Sequence, residues 1–159
     1  MNFLLITGSR SLEQHPTSRR WVHDTIQAAI AEHDIDAVVS GNAPGPDVWS
    51  CTAAMGADVA HIEFQANETV AIVPSLKGKG LFPRVWLSPP ELAIYIPRNK
   101  LPLARNIAMV RHVAALAPKA LVLAFMDPQS TTHGTLHTVN HARDAGLTVD
   151  VRTWSGEPS

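Results

Sequence analysis

The strongest constraint in this sequence is a repeated unit: a short apolar run, a glycine-bearing turn, then a stretch with helical spacing. Asn2–Thr7 ends at Gly8 and precedes Thr17–His33, where Trp21, Thr25/Ile26, Ala29 and Ile30 share one helical face. Asp36–Ser40 ends at Gly41 and precedes Gly45–Met55, with Val48, Cys51/Thr52 and Met55 on one stripe. Ala120–Met126 is almost unbroken apolar sequence. It leads through the turn Asp127–Thr135 into a helix over Gly134–Ala145, closed by Gly146. Such short continuous runs fit strands buried on both faces. Ala57–Phe64 adds a further strand, Leu103–Ala117 a helix stopped by Pro118, and the alternating Leu147–Arg152 a last, edge strand. Strands alternating with helices predict an α/β fold. It is a Rossmann-like, doubly wound parallel sheet of about five strands with helices on both faces.

Composition narrows the class. The 159 residues are 45% hydrophobic with a net charge of -1, too apolar and too neutral for a disordered chain. They suit a single domain over residues 1–154, with 155–159 as a tail. A pI near 6.7 provides no basic field and disfavours a nucleic-acid partner. The sole cysteine, Cys51, excludes an internal disulfide framework and a cysteine-built zinc site, and fits a reducing cytoplasm. No run approaches the ~20 apolar residues of a membrane helix. No metal and no cofactor is expected. Gln65–Lys100 has no clear period, and reads as an excursion or flap carrying Lys77, Lys79, Trp86 and Tyr95.

In open α/β sheets, ligands bind at the carboxyl ends of strands. Three turns meet there. The first carries Thr7, Gly8, Ser9 and Arg10; the second Ser40, Gly41, Asn42, Gly45 and Asp47; the third Asp127, Thr132, His133, Gly134 and Thr135. Glycine permits close approach of backbone N–H groups to an anion, and helix N-termini add partial positive charge. Arg10, and Arg105 beside Asn106 at a helix start, are phosphate-clamp candidates. Asp47 is the candidate catalytic acid, against the simpler role of an acid at a helix N-terminus. Asp127 is a ligand contact or a turn residue before Pro128. His133, His137 and His141 share a helix face but lack the H-E-x-x-H pattern of a zinc site. Cys51 reads as a buried structural residue, and Trp21, Trp49 and Trp154 as core or interface residues. The strict G-x-G-x-x-G and P-loop patterns are missing, which excludes an ordinary dehydrogenase or P-loop NTPase.

Four segments in order carry a resemblance: Thr7-Gly8-Ser9-Arg10; Gly41-Asn42-Ala43-Pro44-Gly45-Pro46-Asp47; Arg105-Asn106-x-x-Met109; and Gly134-Thr135 followed by His141-Ala142-x-x-Ala145-Gly146-Leu147-x-Val149. Together they resemble the YspA/YpsA-related branch of the SLOG superfamily, over nearly the whole chain. Asn42 and Pro46 depart from that branch's glycine and alanine. The resemblance implies a Rossmann-like homodimer that binds nucleotides or nucleotide-derived ligands as a sensor or effector module. Related phosphoribohydrolases cut the bond between base and ribose 5′-phosphate. Thr138 stands here in place of their catalytic glutamate. A hydrolase or transferase acting on an N-glycosidic or phosphoribosyl bond is therefore the alternative expectation, and single-stranded nucleic-acid binding the third.

Overall fold

The computed structural model describes residues 2–41, 43–64, 70–73, 101–131 and 133–156, with the side chains of 70–73 and 101–104 excepted. Strand β1 (Phe3–Gly8) leads through a 3-10 turn (Arg10–Gln14) into helix α1 (Ser18–Glu32). Then follow β2 (Ala37–Gly41), α2 (Pro46–Gly56), β3 (Ala60–Phe64) and β4 (Val70–Val73). The chain continues with α3 (Leu101–Leu116), β5 (Leu121–Met126), α4 (Gly134–Asp144) and β6 (Thr148–Thr153).

The sheet order is β4-β3-β2-β1-β5-β6. Five strands run parallel, and β4 pairs antiparallel with β3 at one edge. The expected α/β class and the edge position of β6 are both found. Strand β4 is an addition from within the unpatterned Gln65–Lys100 segment. The rest of that segment, including Lys77, Lys79, Trp86 and Tyr95, lies outside the described residues.

Alternation along the central strands builds two cores. Leu4, Ile6, Val38, Leu123 and Phe125 pack with Val22, Ile26, Ala53 and Trp154 on the face covered by α1 and α2. Phe3, Leu5, Val39, Ile62 and Val122 pack with Met109, Val113 and Ala142 on the face covered by α3 and α4. Burial on both faces explains why these strands read as unbroken apolar runs.

The expected stripe of α2 is corrected. Val48 is exposed, Cys51 and Met55 are half-buried, and the helix instead buries Trp49, Ser50, Ala53 and Ala54. Beside Trp49, this face carries the small Ser50, Ala53 and Ala54, where α2 lies close on β2, β1 and α1. A Cβ on Gly56 would stand 2.7 Å from the Gln27 side-chain amide. Cys51, expected as a buried structural residue, is half-buried, with Sγ 3.9 Å from Met55 Sδ, and burial followed by the nearby Glu63 charge pushes its thiol pKa up. Trp49 and Trp154 are core residues as expected, whereas Trp21 is half-buried.

From β1 the chain steps outward through β2 to β3, then returns to lay β5 on the other side of β1. The carboxyl ends of β1 and β5 are therefore the topological switch point, where the following helices lie on opposite faces. No helix among the described residues is long and apolar enough to cross a membrane.

Candidate functional site

The three turns do converge at the carboxyl edge, but most of their glycines serve the protein itself. A Cβ on Gly8 would lie 2.3 Å from Pro46 Cγ and 2.5 Å from Pro46 Cβ, so the first turn is glycine because the start of α2 rests on it. A Cβ on Gly41 would lie 2.7 Å from Arg105 Cζ and 2.8 Å from Asp47 Oδ2. Gly45 adopts φ +93°, a left-handed conformation that glycine adopts without strain, and a Cβ there would lie 3.3 Å from Ser9 O. Gly134 alone among these has open space where a Cβ would stand.

Asp47 and Arg105 meet at Gly41. Both side chains are buried, at 5% exposure each. Asp47 Oδ1 is enclosed and has no hydrogen-bond partner. Burial raises the Asp47 carboxyl to about 7, while the Arg105 charge, the Ala43 backbone N–H and the Arg10 charge pull it down and the Glu63 charge pushes it up. The Arg105 Nε–H donates to Asn106 Oδ1 at 2.9 Å, and burial lowers the guanidinium pKa despite the carboxylates nearby. Arg105 does not open its helix: α3 starts at Leu101, so Arg105 sits a full turn in, and reaches the sheet edge from there.

Behind Asp47 lies a closed polar cluster. Ser50 Oγ–H donates to the Asp47 carbonyl at 2.6 Å, and Ser40 Oγ stands 3.0 Å from the same oxygen. His61 Nε2 is 2.8 Å from Ser40 Oγ and 3.3 Å from Ser50 Oγ. All three residues are buried, and burial drives the His61 pKa down to about 4, leaving a neutral ring. Ser40, expected as a ligand contact, instead has its hydroxyl engaged within this cluster.

At the switch point, Ser9 ties β1 to β5. Its N–H donates to Phe125 O at 2.9 Å, and its Oγ accepts from Asp127 N–H at 3.2 Å. The Asp127 carboxylate takes Ser11 Oγ–H at 2.6 Å and His15 Nε2 at 3.2 Å on Oδ2, and Gln129 N–H at 3.0 Å on Oδ1. Burial would raise its pKa, but these donors outweigh burial and hold it below the ordinary value. Asp127 therefore combines the expected turn role with a tie to the residues after β1.

The third turn is more open. His133 is exposed and precedes α4, and Thr135 is buried. Thr138 is fully buried with its Oγ1–H directed to Gly134 O at 3.3 Å, so this side chain faces its own helix backbone. His137 and His141 rings meet edge-on with centroids 4.6 Å apart, and no metal-binding group of three such ligands occurs among the described residues. Thr7 is buried within β1, while Arg10 is exposed. Asn42 and Thr132 lie outside the described residues.

Four polar residues of this edge escaped sequence reading: Ser11, His15, Ser50 and His61. His61 had a signal, a histidine at an inward position of the apolar Ala60–Phe64 strand. Ser11 and His15 carry no periodic signature, because the 3-10 turn that presents them has none.

No protein-family model matches the sequence, and no curated protein matches it. The fold is similar to the crystal structure of DNA processing protein A (DprA) from Streptococcus pneumoniae, with 16% identity and a TM-score of 0.43. The comparison covers 94% of this chain and 58% of that one, so the chain spans less than two thirds of that protein's length.

Proposed function

We propose that the chain binds a nucleotide-derived ligand at the carboxyl edge of its sheet, as a sensor or effector module of the SLOG type and its YspA/YpsA-related branch. The observation that carries this reading is Asp47. A fully buried carboxyl with an unpartnered oxygen, set beside a buried arginine at a strand's carboxyl end, costs stability and calls for a ligand-linked explanation. Exposed Arg10, and the open α4 N-terminus at His133 and Gly134, supply the positive potential that a phosphate needs. The four ordered motif matches, and the homodimer they imply, agree with the same reading.

A thermal-shift screen against AMP, cyclic nucleotides, NAD and ADP-ribose tests it. A ligand at about 100 times its Kd stabilises the fold by ~2.7 kcal/mol. The shift is expected in the wild type and reduced in Arg10→Ala, whose exposed side chain leaves the core intact. An unshifted melting curve with every nucleotide contradicts the proposal.

A second reading, cleavage of an N-glycosidic bond, is favoured by one feature. A carboxyl titrating near 7 is poised for proton transfer at neutral pH. Release of free base from nucleoside monophosphates, abolished in Asp47→Asn, would support that reading; its absence with binding intact leaves the binding module.

A further inference from the structure

We propose that the recess formed by His15, Asp127 and Trp154 seats the nucleobase of the ligand, a planar heteroaromatic ring; this rests on the reading above that the ligand is nucleotide-derived. The recess has a volume of about 180 Å³ and lies where β5 and β6 end, with Pro128, Gln129 and Gly156 completing its wall. That is below the roughly 300 Å³ at which pockets hold whole drug-sized ligands, so it suits one ring system and not a complete nucleotide. It adjoins a shallower groove of about 470 Å³ that shares Trp154 and Gly156 and adds Arg20 and Trp21 from α1.

The lining has the chemistry of a base site. The His15 and Trp154 rings have centroids 5.9 Å apart at 36°, and Trp21 tilts against Trp154 at 5.2 Å, so the region is built of aromatic surfaces. The Trp154 indole N–H is buried and has no hydrogen-bond partner, although the residue is only 7% exposed. A base stacked in the recess changes the ring-current environment of that indole, which its N–H signal reports. Asp127 holds His15 through Nε2, which fixes the imidazole ring in the wall of the recess. Both oxygens of Asp127 already receive protein donors, so the carboxylate fixes the wall of the recess.

The spacing also fits. Neighbouring strands lie ~4.8 Å apart, so the end of β2 beside Asp47 and the β5–β6 gap are separated by roughly 12 Å across the sheet edge. A single nucleotide bridges that distance, with its phosphate and sugar toward Arg10 and Arg105 and its base in the recess.

The test uses three probes: AMP, ribose 5-phosphate and free adenine. In ¹H–¹⁵N spectra of the full chain, the Trp154 indole signal, assigned by its loss in Trp154→Phe, is expected to move with AMP and with adenine but not with ribose 5-phosphate. In calorimetric titrations, AMP is expected to bind at least tenfold more tightly than ribose 5-phosphate. His15→Ala, at a half-buried position, should bring AMP down to the ribose 5-phosphate level while leaving the latter unchanged. An indole signal unmoved by both AMP and adenine overturns the proposal, as does an equal loss for both phosphates in His15→Ala. The outcomes separate the two readings. Adenine moving the indole signal while neither phosphate binds keeps the base seat and removes the phosphate site. Equal binding of both phosphates with a still indole signal does the reverse.

Discussion

Asp47→Asn is expected to stabilise the folded chain at pH 8 by about 2–4 kcal/mol while removing ligand binding. The unfolded carboxyl ionises near 3.8 and the folded one near 7. The folded state therefore holds its proton more tightly, and the cost of ionising the buried carboxyl is absent below pH 3.8. It grows between 3.8 and 7 and is complete above 7. Wild-type stability falls with rising pH through that window on this account. Asparagine resembles the protonated acid and escapes the cost. It also leaves Arg105 without its partner charge, which is why the gain is set below the full ~4 kcal/mol that a shift of this size implies at ~1.36 kcal/mol per unit. His61 acts in the opposite sense. Its ring accepts a proton near 6.5 when unfolded and near 4 when folded, so stability falls as pH drops from 6.5 toward 4. The two slopes oppose one another in the wild type. Urea titrations of Asp47→Asn from pH 4 to 8 should show stability falling as pH drops, from His61 together with the lowered His112, His137 and Asp127, with the advantage over wild type largest at pH 8 and vanishing near pH 4. A variant less stable than wild type at pH 8 would contradict the assignment of Asp47 as a strained, buried acid.

Gly8→Ala is expected to destabilise the fold by about 3 kcal/mol, the upper part of the ordinary range for overpacking. The added methyl stands 2.3 Å from Pro46 Cγ, 2.5 Å from Pro46 Cβ and 3.2 Å from Phe125 Cβ. Pro46 is a rigid ring at the start of α2, so neither the ring nor the buried Phe125 can swing aside. Either β1 or α2 must shift. Gly134→Ala is the matched control, because nothing lies within 4 Å of its added Cβ, and it should change stability by less than about 0.5 kcal/mol. Thermal or urea unfolding of the two variants distinguishes a packing glycine from an open one. Similar small effects at both positions would show that the first two turns do not rest on one another.

These two variants mark where sequence reading succeeded and where it stopped. Continuous apolar runs such as Leu121–Met126 identify a strand because burial on both faces leaves no polar positions, and the parallel sheet follows from them. The glycines of the turns were legible as turn residues, but their purpose was not. Whether Gly8 faces a ligand or Pro46 depends on how α2 meets β1, which no local pattern encodes. The stripe of α2 was misread for a related reason. Ser50, Ala53 and Ala54 share its buried face with Trp49 where the helix packs closely, and a hydrophobicity pattern favours Val48 and Met55 over those small residues. Strand β4 was missed because four residues at an antiparallel edge give too short a signal. The site networks are the least legible part. Ser11 and Asp127 are 116 positions apart, and Ser40 and His61 are 21 apart, and only the fold brings them together. Asp47 was identified by its place after a strand and glycine turn; the burial that gives it chemical interest belongs to the tertiary structure.

The central claim is that Asp47 is a buried acid linked to ligand binding, and its carboxyl ¹³C resonance tests this most directly. Titrated by NMR from pH 4 to 9, the free protein should give a midpoint near 7, and saturation with AMP should displace that midpoint as the unpartnered Oδ1 and its arginine neighbours acquire a ligand. A midpoint close to 3.8, or one near 7 that stays unchanged when AMP is bound, would contradict the account.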